Sequence, residues 1–128
     1  MDIDDARYCS LETFRRNGVA VATPVWFARD EAPEQRVYYV FSAGDAGKVK
    51  RIRANGRARV APCDVRGRVL GEWQDAQARL LTDAADIARA YRALRRRYGW
   101  QMRLSDVFST LTGRYHRRAL IAFTLVSS

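Results

Sequence analysis

Residues 8–28 read YCSLETFRRNGVAVATPVWFA. Two runs rich in β-branched and aromatic residues flank Asn17-Gly18, a pair that signals a tight reversal between antiparallel strands. In the second run Val19, Val21, Thr23, Val25 and Phe27 fall at alternate positions, so they share one face of a strand. Pro24 lies inside that run. Having no N–H to give to a ladder, it predicts an edge, a bulge or a local break in pairing.

Outward from this hairpin the β pattern continues. A polar turn, RDEAPEQR, leads to a third strand, RVYYVFS. Residues 45–55 predict a helix, with Asp45 as N-cap and Asn55-Gly56 as the stop. RARVAPCDV reads as a fourth strand that closes at Asp64 and a turn around Gly67. VLGEWQDAQARLL is a fifth, with a bend at Gly71. Thr82 and Asp83 open a longer helix, in which Ile87, Tyr91, Leu94 and Tyr98 form one stripe that predicts core packing. Asp83 and Asp86 near its start and Arg95, Arg96 and Arg97 near its end complement the helix dipole. Leu104, Val107, Phe108 and Leu111 mark a second, shorter helical segment. The final run, RRALIAFTLV, is apolar on both faces and predicts a central or interface strand. The sum is a mainly β chain with helices: one domain over residues 1–128, built as a small six-stranded antiparallel barrel.

Composition narrows the chemistry. The 128 residues suit one modest core, and 48% hydrophobic with 29% charged residues is a globular balance. No apolar run approaches the roughly 20 residues of a membrane span. The start, MDIDDARYC, lacks the apolar region of a secretory signal, so the expected location is the cytoplasm. Cys9 and Cys63 form neither a CxxC pair nor a disulfide framework. With His116 the only histidine, the ligands for a zinc site and for a nucleophile–histidine triad are lacking, and no metal is expected. The net charge of +9 favours an anionic partner: nucleic acid, a membrane surface or a polyanionic small molecule.

That charge is densest in SAGDAGKVKRIRANGRAR, residues 42–59, where six Lys or Arg fall between Lys48 and Arg59. A helix beginning near Ala46 turns its unpaired N–H groups and positive dipole end toward an anion. Gly47 permits close backbone approach, Ser42 adds a hydroxyl at the strand end, and Lys48 and Arg51 share a face at i, i+3. This is an anion cradle but not a Walker loop, because the glycine spacing is too short and Val49 follows the lysine. The same residues also read as a solvated helix face, with Val49 and Ile52 as its apolar side. A nucleic-acid reading is weaker, since no helix-turn-helix, zinc-finger or RNA-binding aromatic signature is present.

The order TFRRNGVAVATPVWF, then VYYVFSAGDAGKVKRIRANGRARVAPCD, then GEWQDAQARLL resembles the split β-barrel flavin and deazaflavin oxidoreductases. This is the pyridoxamine 5'-phosphate oxidase-like class, and the likeness is to its group dependent on coenzyme F420, a deazaflavin. The resemblance spans about residues 7–82. It implies a homodimer with the cofactor at the subunit interface. Thr23, Pro24, Val25 and Trp26 would lie along the cofactor ring. Ser42, Ala43, Gly47, Lys48 and Arg51 would bind its phosphate end, Lys48 foremost, and Val60, Ala61 and Pro62 would give backbone contacts. Family members often carry Arg two residues before the lysine; here Ala46 stands there, leaving Lys50 or Arg53 to supply that contact.

The implied reaction is hydride transfer between reduced cofactor and a small organic acceptor, which needs no dedicated catalytic side chain. FMN is the alternative cofactor; the many arginines suit the longer polyanionic tail of the deazaflavin. A third reading is a non-catalytic protein that carries a flavin or a tetrapyrrole. Trp26, Trp73 and Trp100 are candidates for a substrate pocket, or simply for core.

Overall fold

A computed structural model describes residues 1–32, 36–43, 47–99 and 118–126. The elements run β1 (Tyr8–Phe14), β2 (Ala20–Arg29), β3 (Val37–Ala43), α1 (Gly47–Ala54), β4 (Arg57–Cys63), β5 (Gln74–Leu80), α2 (Ala84–Tyr98) and β6 (Arg118–Leu125), after a 3-10 turn at Ile3–Asp5. The six strands close into one antiparallel barrel in the order β1-β2-β3-β6-β5-β4, with β4 returning to β1. The predicted fold class is what forms. The predicted N-cap Asp45, the segment around Leu104 to Leu111, Trp100 and His116 lie outside the described residues.

The opening hairpin forms as β1 and β2, with Phe14 opposite Ala20 and Tyr8 opposite Trp26. Its reversal is a turn from Arg15 to Gly18, closed by the Gly18 N–H donating to the Arg15 carbonyl at 2.9 Å. Gly18 alone of the loop takes a positive φ, +86°. A two-residue type I′ turn needs two such residues, so the Asn17-Gly18 signal is realised as a longer loop with glycine in the left-handed position. Asn17 braces it, its side-chain oxygen accepting from the Val19 N–H at 3.1 Å. Val19 is thereby left in the loop, exposed, and β2 begins one residue later than the alternation implied. Val69 likewise falls outside the fifth strand. It makes one isolated bridge to Cys63, and the chain bends at Gly71 before β5 starts at Gln74.

Alternation decides what fills the barrel. Cys9, Leu11, Val25, Phe27, Tyr38, Val40, Val60, Ile121 and Phe123 pack inside it. Ile3 closes one end, and Val49 and Ile52 of α1 join the same core from the helix side. On the outside, α2 covers Ala28, Tyr39, Leu120 and Ala122 with Ala90, Ala93 and Leu94. This explains the doubly apolar final strand: β6 sits between β3 and β5, with Ile121 and Phe123 turned into the barrel and Leu120 and Ala122 under α2. Asp83 caps α2, its carboxylate accepting from the N–H groups of Ala85 and Asp86 at 3.1 and 3.3 Å.

Closure is uneven at one seam. β2 pairs with β1 from Ala20 to Trp26 but with β3 only from Phe27 to Arg29. Two or three more residues of the same register would set Val25 against Ser42 and Pro24 against Ala43, and those pairs do not form. Pro24 therefore sits where β2 has one partner strand, as its missing N–H requires.

Candidate functional site

β2 and β3 part beyond the Phe27–Val40 pair, and the two predicted halves of a site fall one on each lip of that split. On one lip stand Thr23, Pro24, Val25 and Trp26; on the other, Ser42 and Ala43 run toward Gly47 and Lys48 at the start of α1. The β2 residues do not act as one surface. Val25 turns into the core with Phe27, and Thr23 shares that face. The Thr23 hydroxyl is buried and has no hydrogen-bond partner among the described residues, an acceptor and donor left open beside the split. Pro24 and Trp26 face outward. The Trp26 ring stacks on Tyr98 of α2, with centroids 4.8 Å apart and planes 17° from parallel.

The cradle on the second lip is built by α1. Val49 and Ile52 anchor the helix in the core, and the 100° step per residue then sets Lys48 and Arg51 on the flank beside that anchor. Lys50 and Arg53 stand exposed on the opposite side. Lys48 reaches the Ser42 hydroxyl at 3.4 Å. The Arg51 Nε donates to Thr13 Oγ1 at 2.6 Å, which ties α1 to the inner face of β1 and leaves the terminal nitrogens for other acceptors. The guanidinium also folds against the first turn of the helix: a Cβ at Gly47 would lie 2.7 Å from Arg51 Nη1. Glycine thus makes room for the arginine.

Electrostatically the cradle gathers two positive charges close together. Burial, and then the charge of Arg51, hold the Lys48 ammonium below the usual lysine range. Among the described residues no carboxylate is paired with either cation. Two cations, a hydroxyl and the N–H groups at a helix start form a donor set that suits one phosphate. The residues present therefore fit the phosphate end of a flavin-type cofactor.

The predicted β4 residues lie apart from this cradle. Val60 and Ala61 are fully buried, Val60 inside the barrel and opposite Leu11, while Pro62 pairs opposite Cys9 at the far end of the strand. Trp73 is engaged by Arg59, whose guanidinium lies 5.1 Å from its ring centroid and donates to the buried Glu12 at 2.8 Å. Cys9 is buried, and burial, then neighbouring Cys63, push its thiol far up, so it is no nucleophile.

Two residues that shape the site carried no signal in the sequence. Thr13, an ordinary inward strand residue, anchors Arg51. Tyr98, one member of an apolar stripe, places its hydroxyl at the seam: it accepts from the Phe27 N–H at 2.9 Å and donates to the Phe27 carbonyl at 2.7 Å, with the Arg7 carbonyl at 3.2 Å.

Known structures share this architecture. The heme storage protein HutZ from Vibrio cholerae superposes with a TM-score of 0.69 at 11% identity, over 98% of this chain and 85% of that one. The conserved hypothetical protein Rv2991 from Mycobacterium tuberculosis gives 0.68 at 14%, over 98% and 76%. An FAD-binding protein from Mesorhizobium loti gives 0.59 at 17%, over 94% and 80%. At these identities the likeness is one of fold. No curated protein matches the sequence. The family model for pyridoxamine 5'-phosphate oxidase matches residues 2–124. By that match and by its six-stranded split barrel, the chain belongs to the pyridoxamine 5'-phosphate oxidase family.

Proposed function

We propose that this protein is an oxidoreductase that binds coenzyme F420 in the β2–β3 split, with the phosphate on Lys48, Arg51 and Ser42 and the ring along Thr23 to Trp26. The observation that carries the reading is the cradle itself: two cations held together on α1, with no carboxylate paired to either among the described residues, across the split from a buried threonine hydroxyl that has no partner among those residues. Bound deazaflavin would supply hydride chemistry to a small organic acceptor. The chain's part is to hold the phosphate, orient the ring and keep water from one side of it. A homodimer, with the second copy completing the site, belongs to the same proposal. The excess of arginine favours a cofactor with a long anionic tail.

One observation favours FMN in the same place. Lys50 and Arg53 point away from the cradle, so the described residues offer a matched set for one phosphate and no extension of it for a carboxylate tail. Paired titrations of the apo-protein with the deazaflavin and with FMN, at physiological salt, decide between them. Lys48→Ala should weaken whichever binds by about tenfold or more, and Lys50→Ala should leave it near wild type. Equal affinity in wild type and Lys48→Ala would refute the cradle. Turnover of an artificial acceptor by the loaded protein separates an enzyme from a carrier of flavin or tetrapyrrole, and light scattering reads the dimer.

A further inference from the structure

The outward face of α2 carries a second basic site that the cofactor reading does not use. Ala88, Tyr91, Arg92, Arg95 and Arg96 recur at i, i+3, i+4, i+7 and i+8, so they share the helix face opposite buried Ala90, Ala93 and Leu94. With Glu31 from the end of β2 they line a groove of about 770 Å³, a volume in the range of small-molecule sites. It lies on the outside of the barrel, since α2 packs on β2, β3 and β6, whereas α1 and the cradle pack on β1 and β5.

The arginines on this side of α2 divide into two kinds. Arg89 and Arg96 are held by carboxylates, Arg89 by Asp30 at 2.7 Å and Arg96 by Glu31 at 3.4 Å. Both bonds fix the helix against the β2 end and so fix the groove wall. Arg92 and Arg95 have no carboxylate partner among the described residues. Arg95 is nonetheless positioned, its guanidinium 5.4 Å from the Tyr91 ring centroid. Like charges at this spacing repel one another along a helix, and an anion seated between them removes that repulsion. Planar guanidinium forks match phosphate and carboxylate oxygens two at a time. A concave groove with one such pair suits a compact ligand better than a polymer, which needs an extended basic track.

We infer that the groove binds a small organic or inorganic polyanion, carrying two or more phosphate or carboxylate groups, through Arg92 and Arg95. Calorimetric titration of the full chain with inorganic tripolyphosphate and, separately, with citrate at about 0.15 M salt tests it and separates the two chemistries. Saturable binding of at least one is expected, weakened about tenfold or more by the double substitution Arg92→Gln and Arg95→Gln. Glutamine keeps the helix propensity, and an unchanged melting temperature verifies the fold; Arg92→Gln alone should give a smaller loss in the same direction. Lys48→Ala should leave this binding intact. The proposal is overturned if neither anion saturates, if the arginine variants bind as wild type, or if Lys48→Ala removes the binding and so assigns it to the cradle. Tighter binding of a short DNA duplex than of either small anion would also overturn it, in favour of a nucleic-acid surface.

Discussion

The hydroxyl of Tyr98 takes the place of a ladder rung. Beyond Trp26, β2 leaves β1 for β3, and the Phe27 N–H and carbonyl both turn to this one phenol. Burial, the largest influence, raises the Tyr98 pKa despite the bond to Phe27, so the group stays a neutral donor across the working pH range. Tyr98→Phe leaves two buried backbone groups unpaired. The expected cost is about 1–3 kcal/mol, read as a lower denaturation midpoint, while retention of the ring preserves the Trp26 stack and its emission. Gly47→Ala separates fold from site. Alanine is about 1 kcal/mol better than glycine inside a helix, but its Cβ displaces the Arg51 guanidinium. Stability should hold or rise while cofactor affinity falls, measured by melting and titration on the same sample.

Elements are joined at Asp30, which follows β2 and is 5% exposed. It accepts from Arg89 of α2 through Nε and Nη2 at 2.7 and 2.8 Å, from the Tyr39 hydroxyl of β3 at 2.8 Å and from the Ala32 N–H at 3.1 Å. Burial by itself would raise its pKa, but those bonds and the Arg89 charge together hold the carboxyl below its ordinary value. Burial and the bond to Asp30 push Tyr39 up to about 12. A carboxyl with a depressed folded pKa contributes stability that is present above its unfolded pKa, about 3.9, and is lost as pH falls through the folded value. Urea midpoints should therefore drop for wild type as pH falls from about 5 into the acid range. Asp30→Asn should be less stable at neutral pH and show a flatter acid limb. Parallel curves for the two proteins would show that another group governs the acid loss.

For the molecule as a whole, closure depends on its last strand. β6 supplies the partner of both β3 and β5 and the apolar floor beneath α2. Removal of residues 118–126 leaves two strand edges and both cores open, so the cooperative thermal transition should vanish, as followed by circular dichroism. No helix among the described residues is long and apolar enough to cross a membrane. The sequence by itself determined the six strands, the helices over residues 47–54 and 84–98, the hairpin at Gly18, the irregularity at Pro24 and the two-sided burial of β6. These follow from local periodicity, turn chemistry and short spacings, which one stretch of chain carries alone. What only the tertiary structure decided is relative placement: that β2 and β3 part beyond Phe27, that Thr13 anchors Arg51 38 residues away, and that Tyr98 clasps Phe27 across 71 residues. It also decided that Trp26 turns to α2 while Thr23 faces inward, and that Arg92 and Arg95 of α2 have no carboxylate partner among the described residues. Such pairings depend on barrel closure and register, which bring distant residues together at positions that no local pattern records.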